Sequence, residues 1–259
     1  MKSSATRRTI LRAMAAAGVA PLVAATRDAM AFGEEGAFNP RILLVGDAKW
    51  KGVRETAPAR WADEVDHRTS APARLRPSTV RADTPDLFDE PFVVWAGTEA
   101  GAPLLPAEVS NLREFFTMGG LLFVDDSNPE TGAFLAFAKE QLARILPEQT
   151  PIAIGTENVI FRSFYLLKRA YGRVAGPEKL EGIIRGGTLQ VILSSHDVLG
   201  ALARDASGTA SLEVVPGGEE QREQAVRLAV NIALYVLCSN YKDDQVHAEQ
   251  IMKRRGRAK

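Results

Sequence analysis

Asp125 and Asp126 stand side by side at the end of the apolar run Leu121-Leu122-Phe123-Val124, and Ser127 follows them. His196-Asp197 closes a second apolar run, Asp47 with Trp50 follows a third, and Gly97-Thr98-Glu99 leaves a fourth. Adjacent carboxylates repel unless a cation, a proton or several N–H donors offset them. Two chemistries fit that need. A hard divalent cation such as Mg²⁺ or Ca²⁺ takes oxygen ligands, which Asp125 and Asp126 would supply. Alternatively, Asp and Ser after a strand cap the next helix or make a turn. No loop has the alternate-residue Asp/Asn spacing of a dedicated calcium site, and His67, His196, His247 and Cys238 form no cluster with zinc-ligand spacing. A nucleophile elbow needs Ser or Cys at its tip between glycines. Phe123-Val124-Asp125-Asp126-Ser127 has neither the cysteine nor the glycine bracket. A triad of Ser127, His196 and an aspartate also conflicts with strand geometry, because neighbouring His196 and Asp197 would face opposite ways.

Those residues need a scaffold that brings strand ends together. Arg41–Asp47, Pro91–Gly97 and Leu121–Val124 read as short buried strands, with a weaker one at Ser78–Ala82. Helices are predicted at Pro58–Arg68, at Pro106–Met118 (Val109, Leu112, Phe115 and Phe116 on one face) and at Thr131–Leu146. Val159–Leu167 reads as extended. Leu180–Arg185 and Leu189–Asp197 read as strands around the turn Gly186-Gly187, and Glu219–Ser239 as one long helix. Alternation of this kind predicts a single α/β domain, a three-layer sandwich with a mostly parallel sheet covered on both faces. Ligands of such sheets bind outside the carboxyl ends of the strands. The candidate ligand or partner site is therefore Asp47, Trp50, Asp125, Asp126, Ser127, His196 and Asp197. On the last helix Glu223, Arg227, Asn231 and Tyr235 are spaced by four, a stripe expected to be largely solvated. Asn231 sits between Val230 and Ile232 and is added to the site, its amide directed to loops at the sheet edge. Cys238, in an apolar helical run, is expected to be a small buried hydrophobe.

Charge is balanced, with 32 basic and 32 acidic residues, which argues against nucleic acid as a partner. One cysteine excludes an intramolecular disulfide. The N-terminus carries Arg7-Arg8, an apolar run from Ala13 to Ala25 and the small-x-small site Ala29-Met30-Ala31. These three features in order predict a twin-arginine export signal over residues 1–31, hence a periplasmic or cell-envelope protein beginning near Phe32 and a twin-arginine translocase as export partner. The domain is expected over 32–247, and the basic tail 248–259 is expected to be solvated.

Trp50 followed by Thr56-Ala57-Pro58-Ala59-Arg60-Trp61 resembles the opening of the bacterial family called domain of unknown function 4159. So do Leu87–Phe92, Gly119–Asp126, Phe161-Arg162-Ser163-Phe164-Tyr165, Asn231 and Asn240–His247 in their places. The resemblance implies a flavodoxin-like domain related to class I glutamine amidotransferases, with Asp125 or Asp126 where catalytic relatives carry cysteine. It also implies an envelope or membrane-protein partner. The expectation is a non-catalytic binding or assembly domain. Its rival is a metal-assisted hydrolase of envelope glycan or peptide, using Asp125, Asp126, His196 and Asp197 around a divalent metal.

Overall fold

A computed structural model describes residues 36–256, with side chains as far as Ser239. The expected export signal and the last three residues of the basic tail lie outside the described residues. Strand β1 (Arg41–Leu44) leads to α1 (Ala57–Thr69), β2 (Thr79–Arg81), β3 (Phe92–Gly97), α2 (Pro106–Thr117) and β4 (Leu121–Asp126). Then come α3 (Ala133–Ile145), β5 (Ile152–Ile154), β6 (Leu180–Arg185), β7 (Thr188–Ser194), α4 (Val198–Leu202) and α5 (Gly218–Gly256). The seven strands form one sheet in the order β2-β1-β3-β4-β7-β6-β5.

The first four strands and β7 are parallel, while β6 is antiparallel to β7 and to β5. The turn chemistry explains the reversal. Gly186 and Gly187 both have positive φ (57° and 83°), the backbone of a two-residue hairpin, and the register pairs Arg185 with Thr188. A tight hairpin fixes β6 antiparallel, so the sheet is mixed and mostly parallel.

Strand alternation divides the core. Phe92, Val94, Leu121, Phe123 and Ile192 pack with α1, α4 and α5, whereas Val93, Trp95, Leu122, Val124 and Leu193 pack with α2 and α3. Trp61 pins α1 into the first cluster: its ring meets Phe38, Phe92 and Phe123, and its Nε1–H donates to the Ala229 carbonyl of α5 at 2.8 Å. A buried indole needs such an acceptor.

Several expectations change. Val159–Leu167 is not extended: Val159–Phe161 is a 3-10 turn, and irregular chain follows it. Apolar side chains drew the strand reading, but the local backbone is held by Asn158, whose carboxamide accepts from the Ile160 N–H. The short elements β5 and α4 were not anticipated. α5 does not end at Ser239; its backbone continues as helix to Gly256. Cys238 is exposed rather than buried. It lies one helical turn after Leu234, which is only partly buried, whereas Ala229, Val230, Ile232 and Ala233 form the packed face. Among the described residues no helix is long and apolar enough to cross a membrane.

Candidate functional site

β4 runs through the middle of the sheet, and all six of its residues are buried. Its last two carboxylates inherit the strand's alternation and point to opposite faces. Asp125 faces α4: its Oδ1 accepts from the Val198 N–H at 3.0 Å and its Oδ2 from the Leu199 N–H at 2.8 Å. A carboxylate from a distant strand thus satisfies the free N–H groups that open α4, where the helix also presents positive potential. Asp126 faces α3 and is also fully buried. Its Oδ1 accepts from the Asn128 N–H at 2.9 Å, and the Leu135 N–H in the first turn of α3 attracts it further. Its Oδ2 has no hydrogen-bond partner.

Asp197 is the centre of charge. It follows β7 in a left-handed conformation (φ 54°, ψ 59°), and only Ser70 shares positive φ with it among described non-glycine residues. Its Oδ1 accepts from the Gly200 N–H at 3.0 Å, so it is the N-cap of α4. Arg54 grips the carboxylate with two bonds, Nε to Oδ1 at 2.7 Å and Nη2 to Oδ2 at 2.6 Å, and Arg173 Nε donates to Oδ2 from the other side. Gly200 is required here: a Cβ at that position would lie 2.2 Å from Asp197 Oδ2. Arg54 Nη2 also donates to the Ser127 carbonyl at 2.8 Å, joining the ends of β4 and β7.

The electrostatics follow from burial. Desolvation, then the charge of Asp197, pushes the Asp125 carboxyl up to about 7, against the pull of the Leu199 and Val198 N–H groups and the Ser194 hydroxyl. Desolvation likewise raises Asp126. Burial opposes the charge on Arg54, but the hydrogen bonds and charge of Asp197 outweigh it, and the guanidinium holds its proton more tightly than usual. Desolvation lowers the pKa of His196, with the nearby charge of Arg169 acting the same way, against the Pro177 carbonyl.

The predicted residues therefore divide. Asp125, Asp197 and the Ser127 backbone come together around Arg54. Asp126 is on the opposite face. The His196 ring lies against Pro177, where Nε2 donates to the carbonyl at 2.8 Å; Nδ1 is buried without a partner. Asp47 is exposed on the loop after β1. Trp50 is half-buried and donates to the Glu55 carbonyl at 3.2 Å. Asn231 does not reach the strand ends. Its Oδ1 accepts from the N–H groups of Phe164 (3.2 Å) and Tyr165 (2.7 Å), and its Nδ2 donates to the Tyr165 carbonyl at 2.8 Å. The rest of its helical stripe is solvated only in part, Glu223 and Arg227 being half-exposed and paired and Tyr235 buried. Glu223 binds Arg68 and Arg227, Arg227 lies over the Tyr165 ring at 5.1 Å, and Tyr235 donates to the Leu189 carbonyl. Sequence reasoning missed Arg54 and Arg173. Both lie in irregular chain, and only their proximity in sequence to Trp50 and to the glycine-rich 172–176 segment hinted at them.

A divalent cation does not fit this donor set. Both Asp125 oxygens are engaged by N–H groups, Asp126 faces away, and Asp197 is saturated by two guanidiniums. Among the described residues no group of three or more His, Cys, Asp and Glu side chains has metal-binding geometry. Nor is the left-handed strand-to-helix turn at Asp125–Ser127, where the elbow was expected. It is at Asp197, after β7, and an arginine-bound carboxylate occupies it. The switch in strand order lies between β1 and β3. There the buried Glu108 of α2 accepts from the Gly46 and Leu105 N–H groups at 2.6 and 2.7 Å, tying down the loop. An open depression of about 440 Å³ lies beside Arg54 between Gly52–Thr56 and Arg204–Ser211. Thr56 Oγ1 bridges its two sides, donating to the Arg204 carbonyl at 2.7 Å and accepting from the Arg204 N–H at 2.9 Å.

Fold and site define a mixed α/β protein whose strand-end carboxylates are paired internally with arginines and helix N-termini. The chain belongs to the family described as Domain of unknown function (DUF4159), whose model matches residues 41–237, from the start of β1 into α5. No curated protein matches it in sequence.

Proposed function

We propose that this chain is an exported cell-envelope protein, carried to the periplasm by the twin-arginine route, whose domain binds a partner and turns over no substrate. In this reading the domain is a three-layer flavodoxin-like sandwich related to the amidotransferases, without their cysteine nucleophile. One observation carries the reading. The carboxylates converging at the ends of β4 and β7 are engaged by the protein's own donors: Asp125 by two N–H groups, Asp197 by Arg54, Arg173 and the Gly200 N–H. A general base or nucleophile needs a lone pair directed at substrate. These groups instead lock the loops that border the open depression at Gly52–Thr56, a rigid rim suited to a partner surface.

Photo-cross-linkers placed at Val53 and Ser211 on that rim test the idea in cells. A discrete envelope-protein adduct is expected at both positions, retained when Asp125→Asn is added. Turnover of envelope substrate that requires Asp125 or Asp197, with neither rim position cross-linking, overturns it. The export step is read separately: Arg7→Lys/Arg8→Lys should leave the precursor in the cytoplasm.

A further inference from the structure

Of the segments outside the strand-end site, Arg162–Arg169 is the most unusual. Its outward residues alternate: Arg162, Phe164, Leu166 and Lys168 are exposed, while Ser163, Tyr165 and Arg169 are half-buried and Leu167 is buried. Leu166 is 87% exposed and Phe164 46%. A monomeric protein has no reason of stability to show two large apolar side chains at adjacent outward positions.

The loop that carries them is tightly held. Asn231, itself fully buried, makes three hydrogen bonds to the backbone of Phe164 and Tyr165. The Leu167 N–H donates to the Phe161 carbonyl at 2.9 Å, and the Ala170 N–H to the Glu178 carbonyl at 2.7 Å. Beneath, the Tyr165 ring lies edge-on to Phe164 at 4.9 Å and under the Arg227 guanidinium. The backbone is fixed from inside while Phe164 and Leu166 face out, a built display.

Charge specifies the occupant. Between Glu157 and Glu178 the chain carries Arg162, Lys168, Arg169 and Arg173 and no carboxylate; Arg173 is held by Asp197 and Arg169 by the Gly176 carbonyl, so Arg162 and Lys168 are the outward cations. Of the acids around the loop, Glu223 is bound by Arg68 and Arg227, and Glu157 and Glu178 stand at its two ends, outside the stretch that carries Phe164 and Leu166. Apolar tips between exposed cations suit an interface that is anionic at its surface and apolar a few ångströms below. A nearly fully exposed leucine is also a poor match to protein hot spots, which favour Trp, Tyr and Arg. We infer that Arg162–Lys168 is a docking loop for an anionic phospholipid surface, Phe164 and Leu166 entering the acyl boundary while Arg162 and Lys168 meet lipid phosphates. Apolar insertion and cationic attraction are the two signals that together give stable but reversible membrane attachment. The inference rests on the docking reading above and gives its domain a membrane-facing side, separate from the rim at Gly52–Thr56.

The test uses the full chain with Cys238→Ser and one environment-sensitive fluorophore, on Leu166→Cys or on Ser110→Cys of α2, so that each residue reports for itself whatever the leader or tail does. Vesicles of phosphatidylethanolamine with phosphatidylglycerol should raise and blue-shift emission at position 166 several-fold, with no change at position 110. Pure phosphatidylcholine should give little response. Arg162→Glu/Lys168→Glu should weaken the apparent affinity at least ten-fold. No response at position 166, or one equal on neutral vesicles and insensitive to charge reversal, overturns the inference. A photo-cross-linker at Phe164 that captures an envelope protein, with no vesicle response, also overturns it and makes the loop a protein contact. In that case the partner-binding reading survives, whereas Asp125-dependent turnover would remove that reading whatever the loop does.

Discussion

Asp125→Asn should reverse its effect on stability with pH. The wild-type carboxyl is completely buried and titrates near 7 in the folded chain, against an ordinary value of 3.8. The folded protein therefore keeps a proton that the unfolded chain releases near pH 4, and stability falls as pH rises from about 4 to about 7, then levels off. Integrated over that interval, the loss is on the order of 4 kcal/mol. Asparagine carries no charge and escapes the loss. Its amide nitrogen only donates, whereas both oxygens of the carboxyl keep acceptor capacity whether or not it is protonated, so asparagine leaves either the Val198 or the Leu199 N–H unmatched, at about 1–3 kcal/mol at every pH. The two terms nearly cancel at pH 5, and at pH 8 the variant should be the more stable by roughly 1–3 kcal/mol. Urea unfolding of both proteins at each pH and fixed ionic strength reads this as a difference. Subtraction removes Asp126, whose raised pKa acts in the same direction, and His196, whose lowered pKa acts in the opposite one. A gap that stays constant between pH 5 and pH 8, or a variant less stable at pH 8, refutes the reasoning.

Arg54→Ala removes two bonds to a fully buried carboxylate and should destabilise by about 3 kcal/mol in denaturant. Arg54→Lys should recover little of it, since an ammonium cannot replace the two-bond grip. Asn231→Ala leaves the Phe164 and Tyr165 N–H groups and the Tyr165 carbonyl without their partner. It should cost about 2–4 kcal/mol and open residues 162–168 to protease before global unfolding. Leu166→Ser, at a site 87% exposed, should change stability by less than about 0.5 kcal/mol, so any loss of vesicle response there reflects contact with lipid. Cys238 is exposed and should react fully with a thiol reagent in the native protein; a thiol silent until unfolding would contradict its placement on the outer side of α5.

The alternation of apolar runs with helical periods was enough to foresee the parallel half of the sheet. Leu121–Val124 and Phe92–Trp95 have the continuous apolar character that strands covered on both faces require. The same pattern was silent on direction at β6, where the two glycines of the turn decide, and on β5 and α4, which are too short to show a period. Apolar residues misled at Val159–Leu167, where an asparagine cap and a partner asparagine on α5 set the backbone. In the site, burial of Asp125 could be inferred from its neighbours, but its pairing could not. Its partners are N–H groups 73 and 74 residues away. Arg54 and Arg173 reach Asp197 from irregular loops 143 and 24 residues away. Long side chains in loops carry no periodic signal, so charge pairing at strand ends emerges only when the sheet is assembled. Asn231 was rightly read as buried and bonded, yet its register on the helix turned it to Phe164 and Tyr165 and away from the strand ends.

In the proposed function the carboxylates at the ends of β4 and β7 hold the rim together and perform no chemistry. The most direct measurement incubates the purified chain with peptidoglycan fragments and envelope peptides, with and without divalent metals, and follows products by mass spectrometry. Wild type, Asp125→Asn and a no-protein control run side by side. Three identical product profiles are expected. A product formed by wild type and lost in a folded Asp125→Asn protein would contradict it and make Asp125 a catalytic residue.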